Sequence, residues 1–98
     1  METIFTFRNL DATEGIKEHT RQKILKLNKY LHNPVTAHVI LTVDRHEHRA
    51  EITLVDSGTQ YVGTEGTRDM YASIDLAADK ILRQLKKAKE KHQNHHRP

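Results

Sequence analysis

The sequence predicts an α+β fold, a two-layer sandwich of order β-α-β-β-β-α in which a four-stranded sheet carries two helices on one face. Three observations predict it. Apolar residues alternate in the first eight positions and again from Val35 to Leu54. They recur at steps of three and four from Ile16 to Leu31 and from Met70 to Ala88. Short polar turns separate the strand-like stretches. With 98 residues, 36% hydrophobic and 30% charged, there is room for one domain with a thin core built from amphipathic elements, which excludes a multidomain enzyme.

Thr3 to Arg8 reads as the first strand, with Phe5 and Phe7 on one parity. Asp11, with Glu14 three residues on, fits a capping pattern for the helix that follows, whose buried stripe is Ile16, Thr20, Ile24, Leu27 and Leu31. Pro34 after Asn33 breaks that helix. Val35, Ala37, Val39, Leu41 and Val43 make a strand, Asp44-Arg45-His46-Glu47 a turn, and Ala50, Ile52 and Leu54 the buried parity of the return strand. Asp56-Ser57-Gly58-Thr59 is a second turn. Gln60 to Glu65 is a weaker fourth strand whose Gly63 and few apolar residues suit a sheet edge. Asp69 caps the last helix, whose apolar stripe is Met70, Ile74, Ala77, Ala78, Ile81, Leu85 and Ala88. A right-handed crossover joins the first two strands in parallel. Residues 1–91 are expected to form the domain, and 92–98, HQNHHRP, a polar disordered tail.

Several classes are excluded. There is no Cys, hence no disulfide framework, thiolate nucleophile or Cys-based zinc site, and a reducing cytoplasmic setting is expected. No run approaches the roughly 18 apolar residues of a membrane span, and METIFTFRNL lacks the pattern of a signal peptide, so a soluble chain without a membrane partner is expected. The only serines are Ser57 in a turn and Ser73 in a helix, and Gly66-Thr67 is no phosphate loop. No enzyme, cofactor or small-molecule substrate is therefore expected. His46 and His48 would share a metal only with a third ligand and read as a solvated loop, so no metal site is assigned. His92, His95 and His96 either bind metal adventitiously or add charge to the tail in acid. Met70 reads as core, and Tyr71 as either core or an RNA-stacking ring.

The net charge of +3 is unevenly spread. Lys80, Arg83, Lys86, Lys87, Lys89, Lys91 and Arg97 against Glu90 make residues 80–98 a +6 segment; Lys17, Arg21, Lys23, Lys26 and Lys29 against Glu18 make residues 17–29 a +4 segment; the remainder carries −7. Lys80, Arg83, Lys87 and Lys91 step by three, four and four and form one stripe on the last helix. Lys23, Lys26 and Lys29 form another on the first. If the helices lie side by side the stripes merge into a groove for a polyanion, held through its phosphates without sequence readout.

Asp69-Met70-Tyr71-Ala72-Ser73-Ile74-Asp75 followed by Lys80-Ile81-Leu82-Arg83-Gln84-Leu85-Lys86-Lys87 resembles the signature of the hibernation promoting factor and ribosome-associated inhibitor (protein Y) family. Phe7-Arg8-Asn9-Leu10, Thr13-Glu14, Ile16 and Lys26-Leu27-Asn28-Lys29-Tyr30 match its spacing, and the resemblance spans residues 1 to about 91. It implies a fold similar to double-stranded RNA-binding domains. It also implies a stress or stationary-phase protein that binds the small ribosomal subunit and its rRNA in the mRNA/tRNA channel, competes with tRNA and mRNA, and silences translation. Lys26, Lys29, Lys80, Arg83, Lys87 and Arg8 fall at the family's basic rRNA-facing positions, and the stripes add Lys23 and Lys91. Long members carry a C-terminal dimerisation domain, and protein Y types an acidic extension. The short, His-containing tail resembles the short members, which favour paired, inactive ribosomes together with a ribosome modulation factor. The alternative is a generic double-stranded RNA-binding module using the same helices.

Overall fold

Six principal elements follow the chain in the expected order: β1 Glu2–Arg8, α1 Glu14–Leu25, β2 Thr36–Asp44, β3 Glu47–Asp56, β4 Thr59–Thr67 and α2 Met70–His95, with a 3-10 turn at Asn28–Tyr30. The computed structural model describes residues 1–32 and 35–95, the last six of these by their backbone alone. The sheet order is β1-β2-β3-β4, with β1 parallel to β2 and the other pairs antiparallel.

Alternation becomes pleat, and one face of the sheet is sealed. Ala37, Val39 and Leu41 of β2 and Ala50, Ile52 and Leu54 of β3 are fully buried, and they pack with Ile24 and Leu27 on one side and Ile74, Ala77, Ile81 and Leu85 on the other. Both helices thus close the same face. The opposite parity, including Ile4, His38 and Val62, forms an open face, as antiparallel sheets tolerate. Helix α1 lies along β1: Lys17 and Arg21 sit over the Phe7 and Phe5 rings at 6.0 and 5.4 Å, and those rings stack at 5.8 Å. It is pinned to α2 by His19 Nε2, 2.6 Å from Asp75 Oδ1, and by an edge contact between the His19 and Tyr71 rings at 4.9 Å.

Four sequence expectations shift. Thr13, not Asp11, caps α1, accepting from the Ile16 N–H at 3.2 Å. The helix ends at Leu25 and a 3-10 turn continues the path, so Leu27 is buried from outside the α-helix and Leu31 packs only partly. Gly63 does more than mark an edge: a Cβ there would lie 2.0 Å from the Ala77 carbonyl oxygen, so its bareness lets α2 rest on β4. Helical backbone also continues past Lys91 to His95, four residues into the expected tail, while residues 96–98 and the Asn33-Pro34 break lie outside the described residues. Asp69 does cap α2, its Oδ1 accepting from the Tyr71 N–H at 3.2 Å, and Met70 is core.

The two hairpins turn in two residues each. Ser57 and Gly58 both have positive φ, 53° and 82°, the handedness that matches strand twist. Arg45, at φ 58°, occupies a conformation that an arginine adopts at a cost of about 1 kcal/mol.

Candidate nucleic-acid interface

Because α2 buries Ile74, Ala77, Ile81 and Leu85 against the sheet, geometry forces its cations outward, onto a crest that runs beyond the core. Arg83, Lys86, Lys87 and Lys89 are exposed along it. Arg83 is tied to its own helix, Nη2 lying 2.6 Å from Asp79 Oδ2 one turn back. Lys80 leans the other way, toward β4, with Nζ 3.0 Å from Glu65 Oε2 and 2.8 Å from the Thr64 carbonyl oxygen. The hydrogen bond from Lys80, then its charge, holds the Glu65 carboxyl below the usual carboxylate range.

The furrow between the helices is therefore not the merged basic groove the two stripes suggest. It is a cleft of about 150 Å³ in which Lys23 and Lys26 face Asp75 and Asp79 across Leu27, Ala78 and Leu82. Lys23 Nζ is 3.6 Å from Asp75 Oδ1, a carboxylate that also holds His19. The stripes stand on two shoulders with a pair of acids between them, because the α2 cations spread from the crest toward β4 while the acids occupy the flank facing α1. Lys29 sits on the 3-10 turn with its Nζ 5.3 Å from the Tyr30 ring centroid, and Lys89 reaches the same ring at 5.9 Å. The exposed Lys87 makes no ion pair among the described residues, and Lys91 is placed by its backbone on the same helix.

Arg8 does not join the helical surface. It shares the parity of Ile4, on the open face of the sheet, in one cross-strand row with Thr42, Arg49 and Gly66. That row lies next to the β2–β3 turn, where Arg45 and Arg68 are also exposed. Every arginine outside the two basic segments, Arg8, Arg45, Arg49 and Arg68, thus gathers at one end of the sheet. Net charge by segment hides this, since the four are scattered through the acidic remainder. His48 also departs from a solvated loop: it lies in β3, half-buried, with its Nδ1 enclosed and without a hydrogen-bond partner. Its carbonyl oxygen is 2.5 Å from the hydroxyl of the buried Ser73. Tyr71, open in the sequence between core and stacking ring, is 41% exposed but holds His19, which makes it first a link between the helices.

The chain is thus a small α+β sandwich with a cationic helical crest and a second cluster of arginines at the hairpin end. The chain belongs to the family described as sigma 54 modulation protein / S30EA ribosomal protein, whose sequence model matches residues 3–93, the family of hibernation promoting factors and protein Y. It is 36% identical over 96 residues to the ribosome hibernation promoting factor of Escherichia coli K12, covering 97% of this chain and 100% of that one. Identity is 37% over 91 residues to the protein of that name from Azotobacter vinelandii, covering 93% and 85% respectively. Among solved structures, the Thermus thermophilus Protein Y N-terminal domain superposes with a TM-score of 0.81 at 30% identity over 89% of this chain and 98% of that one. A ribosomal subunit interface protein from Coxiella burnetii shares the fold at a TM-score of 0.79 and 20% identity, covering 92% and 99%.

Proposed function

We propose that this chain is a cytoplasmic ribosome hibernation factor. It binds the small subunit in the channel used by mRNA and tRNA, competes with both, and silences translation under stress or in stationary phase. The observation that carries the reading is the likeness, over nearly the whole of both chains, to a protein named ribosome hibernation promoting factor. The physical support is the crest, where cations project from a rigid helix that the sheet holds in place.

The rRNA contacts are assigned to Lys23, Lys26, Lys29, Lys80, Arg83, Lys87 and Lys91, with Arg8 on a separate face. Pairing of some of these with Asp75, Asp79 and Glu65 in the free protein is a small obstacle. An exposed i,i+4 pair such as Asp79–Arg83 is worth about 0.3–0.5 kcal/mol, less than a charge-assisted bond to phosphate returns. Inhibition works by occupancy, so it is stoichiometric with ribosomes and reversed by high salt. Ribosome pairing is assigned to joint action with a modulation factor.

Sedimentation tests the reading: the protein should travel with small-subunit particles and be displaced by tRNA and mRNA, whereas equal binding to any RNA duplex would favour a generic duplex-binding module. With about five of these eight side chains on phosphates, log K should fall with log salt at a slope of about −3.5 to −4.5, and a slope near zero would rule out a phosphate-driven interface.

A further inference from the structure

We propose that the β2–β3 hairpin end is a second anion site, built to take a phosphate group. Arg45, His46, His48 and Arg68 line a cavity of about 400 Å³ there. Two guanidinium groups present planar forks of N–H donors suited to phosphate oxygens, and each imidazole, even neutral, offers one N–H donor.

Arg45 and Arg68 lack an answering carboxylate among the described residues, as Lys87 does and unlike Lys80 and Arg83. On the helices, Lys17, Lys23, Lys80 and Arg83 each pair with an acid. The neighbouring acids are otherwise placed. Glu47 is held by Arg49, its Oε1 accepting from Nε at 3.0 Å and Nη2 at 2.7 Å, and it lies flat across Gly66, where a Cβ would meet its Cδ at 2.8 Å. Asp69 is engaged in capping α2. Asp44, exposed at the end of β2, has no ion pair among the described residues.

The backbone adds a second argument. Arg45 holds a positive φ in a two-residue turn, a position where Gly, Asn or Asp fits with less strain. An arginine there is explained by what its side chain binds. The cluster also exists only in the folded chain, because Arg45 and Arg68 come from different turns and meet through the β2–β3–β4 register, in which His48 faces Val43 and Thr67.

The phosphate has two possible sources, the backbone of the RNA proposed above or a free phosphorylated small molecule. Only the first rests on the ribosome reading. Titration of the intact ¹⁵N-labelled chain with sodium pyrophosphate should shift the backbone amides of residues 45–48 and 68 in the wild type and leave them still in R45Q/R68Q, while R45K/R68K, which keeps the charge, retains part of the response. In parallel, R45Q/R68Q should bind the small subunit about ten-fold more weakly, with a salt slope shallower by about 1.4–1.8 for two lost contacts. Amide shifts together with the shallower slope assign the site to RNA backbone. Amide shifts with an unchanged slope, or in a chain that fails to bind ribosomes at all, assign it to a free phosphorylated ligand. No amide response and no change in slope would overturn the proposal.

Discussion

The helical crest and the hairpin end are both basic, but they are built in opposite ways. Crest cations arise from a local sequence pattern, and the same periodicity sets Asp79 one turn before Arg83, while Lys80 meets Glu65 of β4 and Lys87 meets no acid among the described residues. Hairpin-end cations arrive from β1, the first turn, β3 and the residue after β4, and among the described residues only Arg49 of the four meets an acid. Helical basicity is thus tempered in part by acids that its own period supplies, whereas the sheet register gathers Arg45 and Arg68 with no carboxylate paired to either among the described residues. A long cationic stretch in a sequence therefore overstates local field strength, and scattered arginines understate it.

The comparison can be broken most severely at Gly63, which seats the crest. Gly63→Ala drives a methyl into the Ala77 carbonyl and should destabilise the fold by about 3 kcal/mol, read by chemical denaturation, because backbone rather than a flexible side chain must give way. Wild-type stability in that variant would mean the helix is not held by close approach to β4. Next in size, Arg83→Glu with Lys87→Glu should weaken small-subunit binding about 100-fold, or about 2.7 kcal/mol, with the melting temperature nearly unchanged since both side chains are exposed. A similar loss from the Arg45 and Arg68 pair would make the two regions equal partners.

Ser73→Ala tests whether the hairpin end is braced by α2. The buried hydroxyl lies 2.8 Å from Thr67 Oγ1 and close to the His48 carbonyl oxygen, so its removal should cost about 1–2 kcal/mol and raise hydrogen exchange at residues 45–48 while leaving the C-terminal half of α2 unaffected. The smallest effect belongs to the Lys80–Glu65 contact. Glu65 has its folded carboxyl pKa lowered, so the contact stabilises above the unfolded value and is lost as pH falls through the folded one. In Lys80→Gln the Glu65 carboxyl should titrate in the ordinary carboxylate range by NMR. No movement would mean Lys80 is free to reach solvent.

Element order, the buried parity of each strand and the apolar stripe of α2 were legible because each is set by a period of two or 3.6 residues. The lean of Lys80 toward β4 was not, since a stripe on a helix says nothing about which neighbour stands on either side. The place of Arg8 was available but overlooked: with Phe5 and Phe7 facing the core, parity alone puts Arg8 on the open face. Thr13 took the cap from Asp11 because either residue can accept from a free N–H, and the choice depends on where the backbone first turns helical. The hairpin-end cluster needed both turns located to the residue, after which the antiparallel register follows by counting.

The strand order also has a consequence in time. β2, β3 and β4 are joined by two-residue turns and can pair as soon as they are made, and α2 folds onto its neighbour β4. β1 is different, because residues 9–35 separate it from the one strand it pairs with. During synthesis it emerges before the other strands and waits longest, a stretch bearing Ile4, Phe5 and Phe7 with no strand yet to pair with. Parallel closure through so long a loop is slow relative to hairpin formation. β1 should therefore be the last strand to lock, and in the finished protein its amides should be the first strand amides to exchange with solvent.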